Sequence, residues 1–388
     1  MRPVARIIQR GRAVFRVNDP FFGRGLLVLA VALMAALGLA LLLPSPIDPV
    51  AFNPPRKQHR PPSAYNANTE LAQARRIAEG RVNGPEDVAF DEQARLYTGT
   101  ADGKIVRVGL LNDAVADFAI TGGRPLGLRF DPQGRLIVCD ARKGLLAVDP
   151  EGRVATLATE AGGKPFRFTN NLDVAADGTL YFSDSSDARG PDEYLYELLE
   201  ARPRGRLLRL DPASSKVDVL LDGLFFANGV ALAADESFVV VAETYRYRLM
   251  RYWLKGPRAG TADVFADNLP GFPDNISRDS RGTFWVAFFT VRNDFLDALQ
   301  PHPLAKRLWA RLPGFLWPRP ARYGFVANLD DRGRCLRSFH DPTGERVWQI
   351  TTAREHDGVL YLGTLDNPWL ARFTLRQPFV ALPGVGVK

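Results

Sequence analysis

The sequence is poor in the residues from which most metal cages and nucleophilic sites are built. Its 388 residues include two cysteines, Cys139 and Cys335, and four histidines. Two cysteines exclude a disulfide framework, and no C-x-x-C spacing exists for zinc or thiol redox work. The expectation is two buried thiols, with a single bridge open to them in an oxidising compartment. A long helical periodicity is also missing past residue 80. Short β-branched and aromatic runs stand there instead, punctuated by Asp-Gly, Gly-Arg and Asp-Pro turns, which points to an all-β sandwich, barrel or propeller.

A nucleic-acid reader motif is absent as well, so the net charge of +7 needs another origin. Arg2, Arg6, Arg10, Arg12, Arg16 and Arg24 face a single acid, Asp19, in residues 1–24. Lys306, Arg307, Arg311, Arg319 and Arg322 have no acid among them in residues 305–322. Two separate patches do not make a phosphate-tracking surface, and no nucleic-acid partner is expected.

Charge is missing once more from Gly25 to Leu43, GLLVLAVALMAALGLALLL, an apolar run of 19 residues. That length spans a hydrocarbon core of about 30 Å. The arginines before it predict a cytoplasmic tail (1–24), a single-pass transmembrane anchor (25–43) and an exported C-terminal domain, periplasmic in a bacterium and luminal or extracellular in a eukaryote. The run exceeds a usual signal-peptide core, and the following LLLPSPIDP offers no A-x-A-like cleavage site, so a retained anchor is expected over a cleaved one. Residues 44–67 hold Pro44, Pro46, Pro49, Pro54, Pro55, Pro61 and Pro62 and read as a semi-rigid spacer between membrane and domain.

Residues 68–388 carry a repeat. Six segments align without gaps: PEDVAFDEQARLYTG from Pro85, PLGLRFDPQGRLIVC from Pro125, TNNLDVAADGTLYFS from Thr169, ANGVALAADESFVVV from Ala227, PDNISRDSRGTFWVA from Pro273 and QITTAREHDGVLYLG from Gln349. Each reads strand, polar turn, strand. Later strands such as GKIVRV, GLLAVDP and GRLLRLDP complete a four-stranded unit, so a six-bladed β-propeller is predicted. A long insert, 289–322, is placed between blades five and six.

The first strand of each blade lines a propeller's channel, so equivalent positions form a ring. The second residues of the six units are Glu86, Leu126, Asn170, Asn228, Asp274 and Ile350. Four are oxygen donors and none is a thiolate or imidazole. An all-oxygen set with few charges suits calcium, whereas zinc favours His or Cys. Asn275 adds a further oxygen. Leu126 and Ile350, with Asn171 and Thr351, are expected along a substrate channel whose apolar side suits an apolar substrate with one polar reacting group.

These strings resemble the strictosidine synthase-like family over roughly residues 68–375, through NGPEDVAF, GRPLGLR, FANGVALAADESFVVVAET, LPGFPDNISRDSRGTFWVA and EHDGVLYLGTL. More distantly the ring resembles those of paraoxonases and gluconolactonase-type propellers. That resemblance implies calcium held by Glu86, Asn170, Asn228 and Asp274, with Asn275 as the paraoxonase-like addition. Two departures stand out. The strictosidine synthase catalytic Glu falls on Thr351, and the paraoxonase channel histidine falls on Leu126. A strictosidine-type condensation is therefore not expected. The expectation is a calcium-dependent ester or lactone hydrolase with Asp274 as ligand and base. The alternative is a non-catalytic binding or scaffold propeller stabilised by calcium.

Three further features were weighed. Residues 300–318 mix Trp309, Phe315 and Trp317 with cations and read either as a lid lying on anionic lipid or as a cap on the channel mouth. His302, His340 and His356 are candidate bases, with His356 placed in a turn away from the channel. Asn275-Ile276-Ser277 is formally a glycosylation sequon, but sugar there would block the ring.

Overall fold

The computed structural model describes residues 44–58 and 62–375, with scattered positions between 24 and 38. The expected tail and most of the expected anchor at 25–43 lie outside the described residues. Among the described residues no helix is long and apolar enough to cross a membrane.

Six four-stranded antiparallel sheets form the propeller. Blade one runs Val88–Phe90, Leu96–Gly99, Lys104–Val108 and Val115–Ile120; blades two to five repeat this order from Pro125, Thr169, Ala227 and Gly271. Blade six takes three strands from the end of the chain, Ile350–His356, Val359–Thr364 and Leu370–Thr374, and its outermost strand from the beginning, Arg75–Ile77. Arg75 pairs with Arg372 and Ile77 with Leu370, so the two ends of the domain close the ring against each other.

The turns at the ends of paired strands are closed by local hydrogen bonds. Asp131 Oδ1 accepts the Gln133 and Arg135 backbone N–H groups (3.0 and 2.8 Å), and its Oδ2 takes the Arg135 guanidinium at 2.8 Å. The same Asp-x-x-Gly-Arg turn recurs at Asp149 and Asp330, where Gly152 and Gly333 have φ of 84° and 79°. An L side chain rarely adopts that conformation, so glycine is required in these tight turns.

Apolar residues of adjacent blades meet between the sheets. Phe238 of blade four packs with the fully buried Phe284 of blade five, their rings 6.1 Å apart, and within blade five Phe288 stacks on Phe325 at 4.1 Å. Each such side chain contributes about 1.5–3 kcal/mol on burial. Cys139 is buried, Cys335 half-buried, and both are free thiols.

Two placements differ from expectation. The insert lies inside blade five, between Phe284–Val291 and Gly324–Leu329, rather than between blades five and six. The repeat exposed only the first two strands of each unit, so the loop's place within the blade was hidden. Residues 44–58 are not a free spacer. They lie against the ring face, where Ile47 packs on Leu199, Leu299 and Ala310.

Candidate metal and substrate site

The start of each inner strand carries the ring. In blade four two residues, Asn228 and Gly229, sit between the pairs Ala227↔Glu243 and Val230↔Val241. The bulge turns Asn228 toward the axis. Gly229 is needed because a Cβ there would meet Asn275 Cα of the next blade at 2.6 Å, and Gly127 faces Asn171 in the same way, also at 2.6 Å. Between these glycines the other blades place Asp87, Asn171 and Asn275, each fully buried. They tie blade to blade: Leu128 N donates to Asp87 Oδ2 at 3.1 Å, Val230 N to Asn171 Oδ1 at 3.0 Å, and Asn275 Nδ2 to Glu86 Oε1 at 2.9 Å.

Glu86, Asn170, Asn228 and Asp274 come together on the floor of one cavity of about 540 Å³. Each amide spends its N–H on protein. Asn170 Nδ2 donates to Ser185 Oγ at 2.9 Å, the Asn228 amide donates to Asp274, and Asn275 donates to Glu86. Their oxygens and one carboxylate oxygen are left over. Among the described residues, Glu86 Oε2, Asn170 Oδ1, Asn228 Oδ1 and Asn275 Oδ1 are buried with no hydrogen-bond partner. Leaving one such group unsatisfied costs about 1–3 kcal/mol, so several at one place call for a shared positive partner. A hard cation with oxygen preference fits this donor set. Among the described residues no three His, Cys, Asp or Glu side chains gather as a metal cage; the ring has two carboxylates and relies on amides.

Electrostatics agree with that fit. Burial, then the charges of Asp274 and Asp87, push the Glu86 carboxyl well above its usual range. Burial pushes Asp274 up to about 8, against the Asn228 hydrogen bond that lowers it. Behind the ring, Asp87 is neutralised by Arg129, whose Nη1 donates to Asp87 Oδ2 at 2.7 Å. Arg124 lines the cavity beside Glu86 and is held by the Gly84 and Leu365 carbonyls at 2.8 and 3.1 Å.

The walls are apolar. Leu126, Phe168, Phe226, Tyr245 and Phe272 line them, with Phe226 stacked on Tyr245 at 4.5 Å. The insert contributes Val291, Leu296 and Pro318 to the mouth, and the blade-three helix Tyr194–Glu200 contributes Tyr194 and Leu198. The cap on the channel mouth is thus present.

Of the four expected channel residues, Leu126 and Thr351 line the cavity. Ile350 and Asn171 do not. In blade six one residue, Thr351, sits between the pairs Ile350↔Thr364 and Thr352↔Gly363. With one bulged residue instead of two, Ile350 turns into the apolar core beside Leu71 and Trp369. Thr351 takes the cavity side, and its hydroxyl donates to the Glu86 carbonyl at 2.6 Å. Asn171 is spent on the blade-to-blade bonds described above.

No histidine lines the cavity among the described residues. His340 is held by Tyr323 Oη and Ser338 Oγ at 3.0 and 2.7 Å, with burial lowering its pKa to about 4. His356 stacks on Phe90 at 4.1 Å, and His302 precedes the helix Pro303–Trp309. The sequon asparagine, Asn275, is fully buried. Sequence reasoning missed Arg124, Phe168, Phe226, Tyr245 and Phe272. The aromatics flank the ring strings closely in sequence, but only side-chain direction marks them as walls.

Two family models match the chain, "Strictosidine synthase" over residues 170–257 and "Strictosidine synthase-like, N-terminal" over residues 63–108. The adipocyte plasma membrane-associated protein of Rattus norvegicus is 40% identical over 379 residues, covering 90% of this chain and 99% of the relative. Among solved structures, a gluconolactonase of Xanthomonas campestris superposes with a TM-score of 0.58 at 21% identity, over 86% of this chain and 99% of that one. Regucalcin of Agrobacterium tumefaciens, described as a calcium-binding protein, superposes with a TM-score of 0.55 at 16% identity, over 77% and 93%.

Proposed function

The chain belongs to the strictosidine synthase-like family, together with the adipocyte plasma membrane-associated proteins, and on that premise we propose that it is a calcium-dependent hydrolase of esters or lactones, anchored in a membrane by residues 25–43. The observation that carries the reading is the set of partnerless buried oxygens of Glu86, Asn170 and Asn228 at the floor of a ligand-sized cavity, with that of Asn275, which does not line the cavity, on the side chain bonded to Glu86. The fold shared with a gluconolactonase and with calcium-binding regucalcin supports it, as does the name of the membrane-associated relatives.

Bound there, calcium would polarise a substrate carbonyl and stabilise the developing oxyanion. Glu86, Asn170, Asn228, Asp274 and Asn275 would hold it. Asp274 lines the cavity beside Glu86 and would take a proton from a water beside the carbonyl. The Asn228 amide orients it. Thr351 donates to the Glu86 carbonyl and brings no base to the position where the resemblance implies the strictosidine synthase Glu, which speaks against a strictosidine-type condensation. The aromatic walls bind an apolar acyl or alcohol part and keep bulk water off the reacting atoms.

A cavity of about 540 Å³ above the ring favours turnover over a plugged scaffold. The test is metal analysis of the purified protein, followed by arylester and lactone hydrolysis with and without chelator. Calcium-dependent hydrolysis that disappears in Asp274→Asn is expected. Hydrolysis that persists in chelated Glu86→Gln, Asp274→Asn protein would remove the ring from the reaction.

A further inference from the structure

The two faces of the propeller are built differently. Turns from first to second and from third to fourth strands lie on the face away from the ring. They are short, as at 91–95, 131–135 and 330–334. Loops from second to third strands lie on the ring face, and two of them are long, 185–204 and 292–323. They supply the helices Tyr194–Glu200, Asp294–Leu299 and Pro303–Trp309.

Residues 44–58 run across these cap elements. Val50 N donates to Glu200 O at 3.0 Å and Phe52 N to Gln300 O at 3.1 Å. Lys306, read from sequence as a surface cation, is fully buried and donates to the Val50 carbonyl at 2.6 Å. Arg189 Nη2 donates to Pro46 O at 2.8 Å, and Arg292 Nη2 to Pro55 O at 2.5 Å. The chain is therefore seated on the ring face from Pro46 and Ile47 onward. The segment that would have spaced the domain from an anchor is used up along the cap.

On the same cap, the tip 312–316 exposes apolar side chains. Phe315 is 75% exposed, Leu316 48% and Leu312 37%, with Leu304 at 61% on the helix before them. No Asp or Glu occurs between Asp297 and Asp330, while Arg307, Arg311, Arg319 and Arg322 do. Arg319 lines the cavity mouth itself. An apolar tip set among arginines is the chemistry of a surface that enters an anionic lipid headgroup layer.

We propose that the ring face lies on an anionic bilayer, with Leu312, Phe315 and Leu316 in the headgroup layer and the cavity mouth opening toward lipid. This rests on the reading of residues 25–43 as an anchor. Molecules dissolved at the lipid interface then have direct access to Asp274 and the ring. Apolar esters that partition into membranes are the substrate class this arrangement selects.

The full chain in lipid nanodiscs containing phosphatidylglycerol tests this. Phe315→Cys and, on the opposite face, Glu92→Cys carry an environment-sensitive fluorophore; the unsubstituted chain labelled in parallel sets the background of the native thiols. Headgroup spin-labelled lipid is the quencher. The expected result is a blue shift and quenching at 315, neither at 92, and less quenching at 315 when phosphatidylcholine replaces phosphatidylglycerol. A chain that inserts into discs while both labels stay aqueous overturns the proposal alone. A chain that does not enter discs overturns the anchor and the proposal together. Equal quenching at 315 in neutral and anionic discs overturns the role given to the arginines.

Discussion

Asn275 Nδ2 donates to Glu86 Oε1 at 2.9 Å, joining the inner strand of blade five to that of blade one across the channel. The bond uses the Asn275 amide nitrogen and one Glu86 oxygen, and leaves Asn275 Oδ1 and Glu86 Oε2 buried without a hydrogen-bond partner. One hydrogen bond thus does two things. It links inner strands of two blades through residues 189 apart in sequence, and it leaves a buried oxygen on each side chain without a partner.

Asn275→Ala removes both the orienting donor and one oxygen. Calcium affinity should fall by about 10–100-fold, the usual cost of losing a group that orients a ligand. Isothermal titration calorimetry reads this directly, and unchanged affinity would take Asn275 out of the ring.

Glu86→Gln should act in opposite directions with and without metal. In chelated protein at a pH above about 8, where Asp274 is ionised, it removes a buried carboxylate that Asp274 and Asp87 oppose, so the melting temperature should rise there. The calcium-induced rise should shrink, because a carboxylate ligand is gone. Thermal melts of both proteins with chelator and with calcium separate the two effects.

The pH dependence follows from the same burial. Asp274 is pushed up from 3.8 to about 8 and Glu86 is raised too, so the folded state holds these protons more tightly than the unfolded chain. Stability from this source is complete below about pH 4 and is lost as pH rises through about 8. Chelated protein should therefore melt lower at about pH 8 than at about pH 5 as far as these groups decide. Calcium replaces the proton, so its stabilising increment should be larger at about pH 8. An increment independent of pH would mean the metal displaces no proton.

Arg129→Met leaves the fully buried Asp87 carboxylate without its ion pair. Removing one member of a buried pair costs about 3–5 kcal/mol, read as a lower urea midpoint. Asp87→Asn added to Arg129→Met should recover part of the loss, since the orphaned charge is then gone.

Ile47→Asp should free residues 44–58 from the cap while the blades stay intact. Burial of an isoleucine is worth about 1.5–3 kcal/mol, so cleavage within 44–58 should speed up by roughly tenfold or more. The urea midpoint of the propeller should barely move.

Much of the fold was legible because a propeller blade is a local object. Strand, turn and strand recur from Pro85, Pro125, Thr169, Ala227, Pro273 and Gln349, and Asp-x-x-Gly-Arg turns such as Asp131–Arg135 close inside five positions of chain. Glu86, Asn170, Asn228 and Asp274 could be gathered because a fixed register maps onto a ring. Ile350 broke the rule because register assumes the bulge at the same position in every blade, whereas Ile350 is paired with Thr364 and Thr351 alone stands in the bulge, unlike Asn228 in blade four. Asn171 was misassigned for a related reason: adjacent positions on a bulged strand do not share a face, and its side chain is used between blades.

The sequence alone determined the six-unit repeat and the residue types of the oxygen ring, both of which depend on residue type at a local period; that Thr351 stands where strictosidine synthase has its Glu is what the family resemblance implies. Only the tertiary structure decided which oxygens lack partners, that Arg75–Ile77 closes blade six, that the insert belongs to blade five, and that the proline-rich segment lies on the cap. Those are contacts between residues far apart in the chain. Their energy comes from side-chain direction and packing after the blades have closed, which periodicity does not encode.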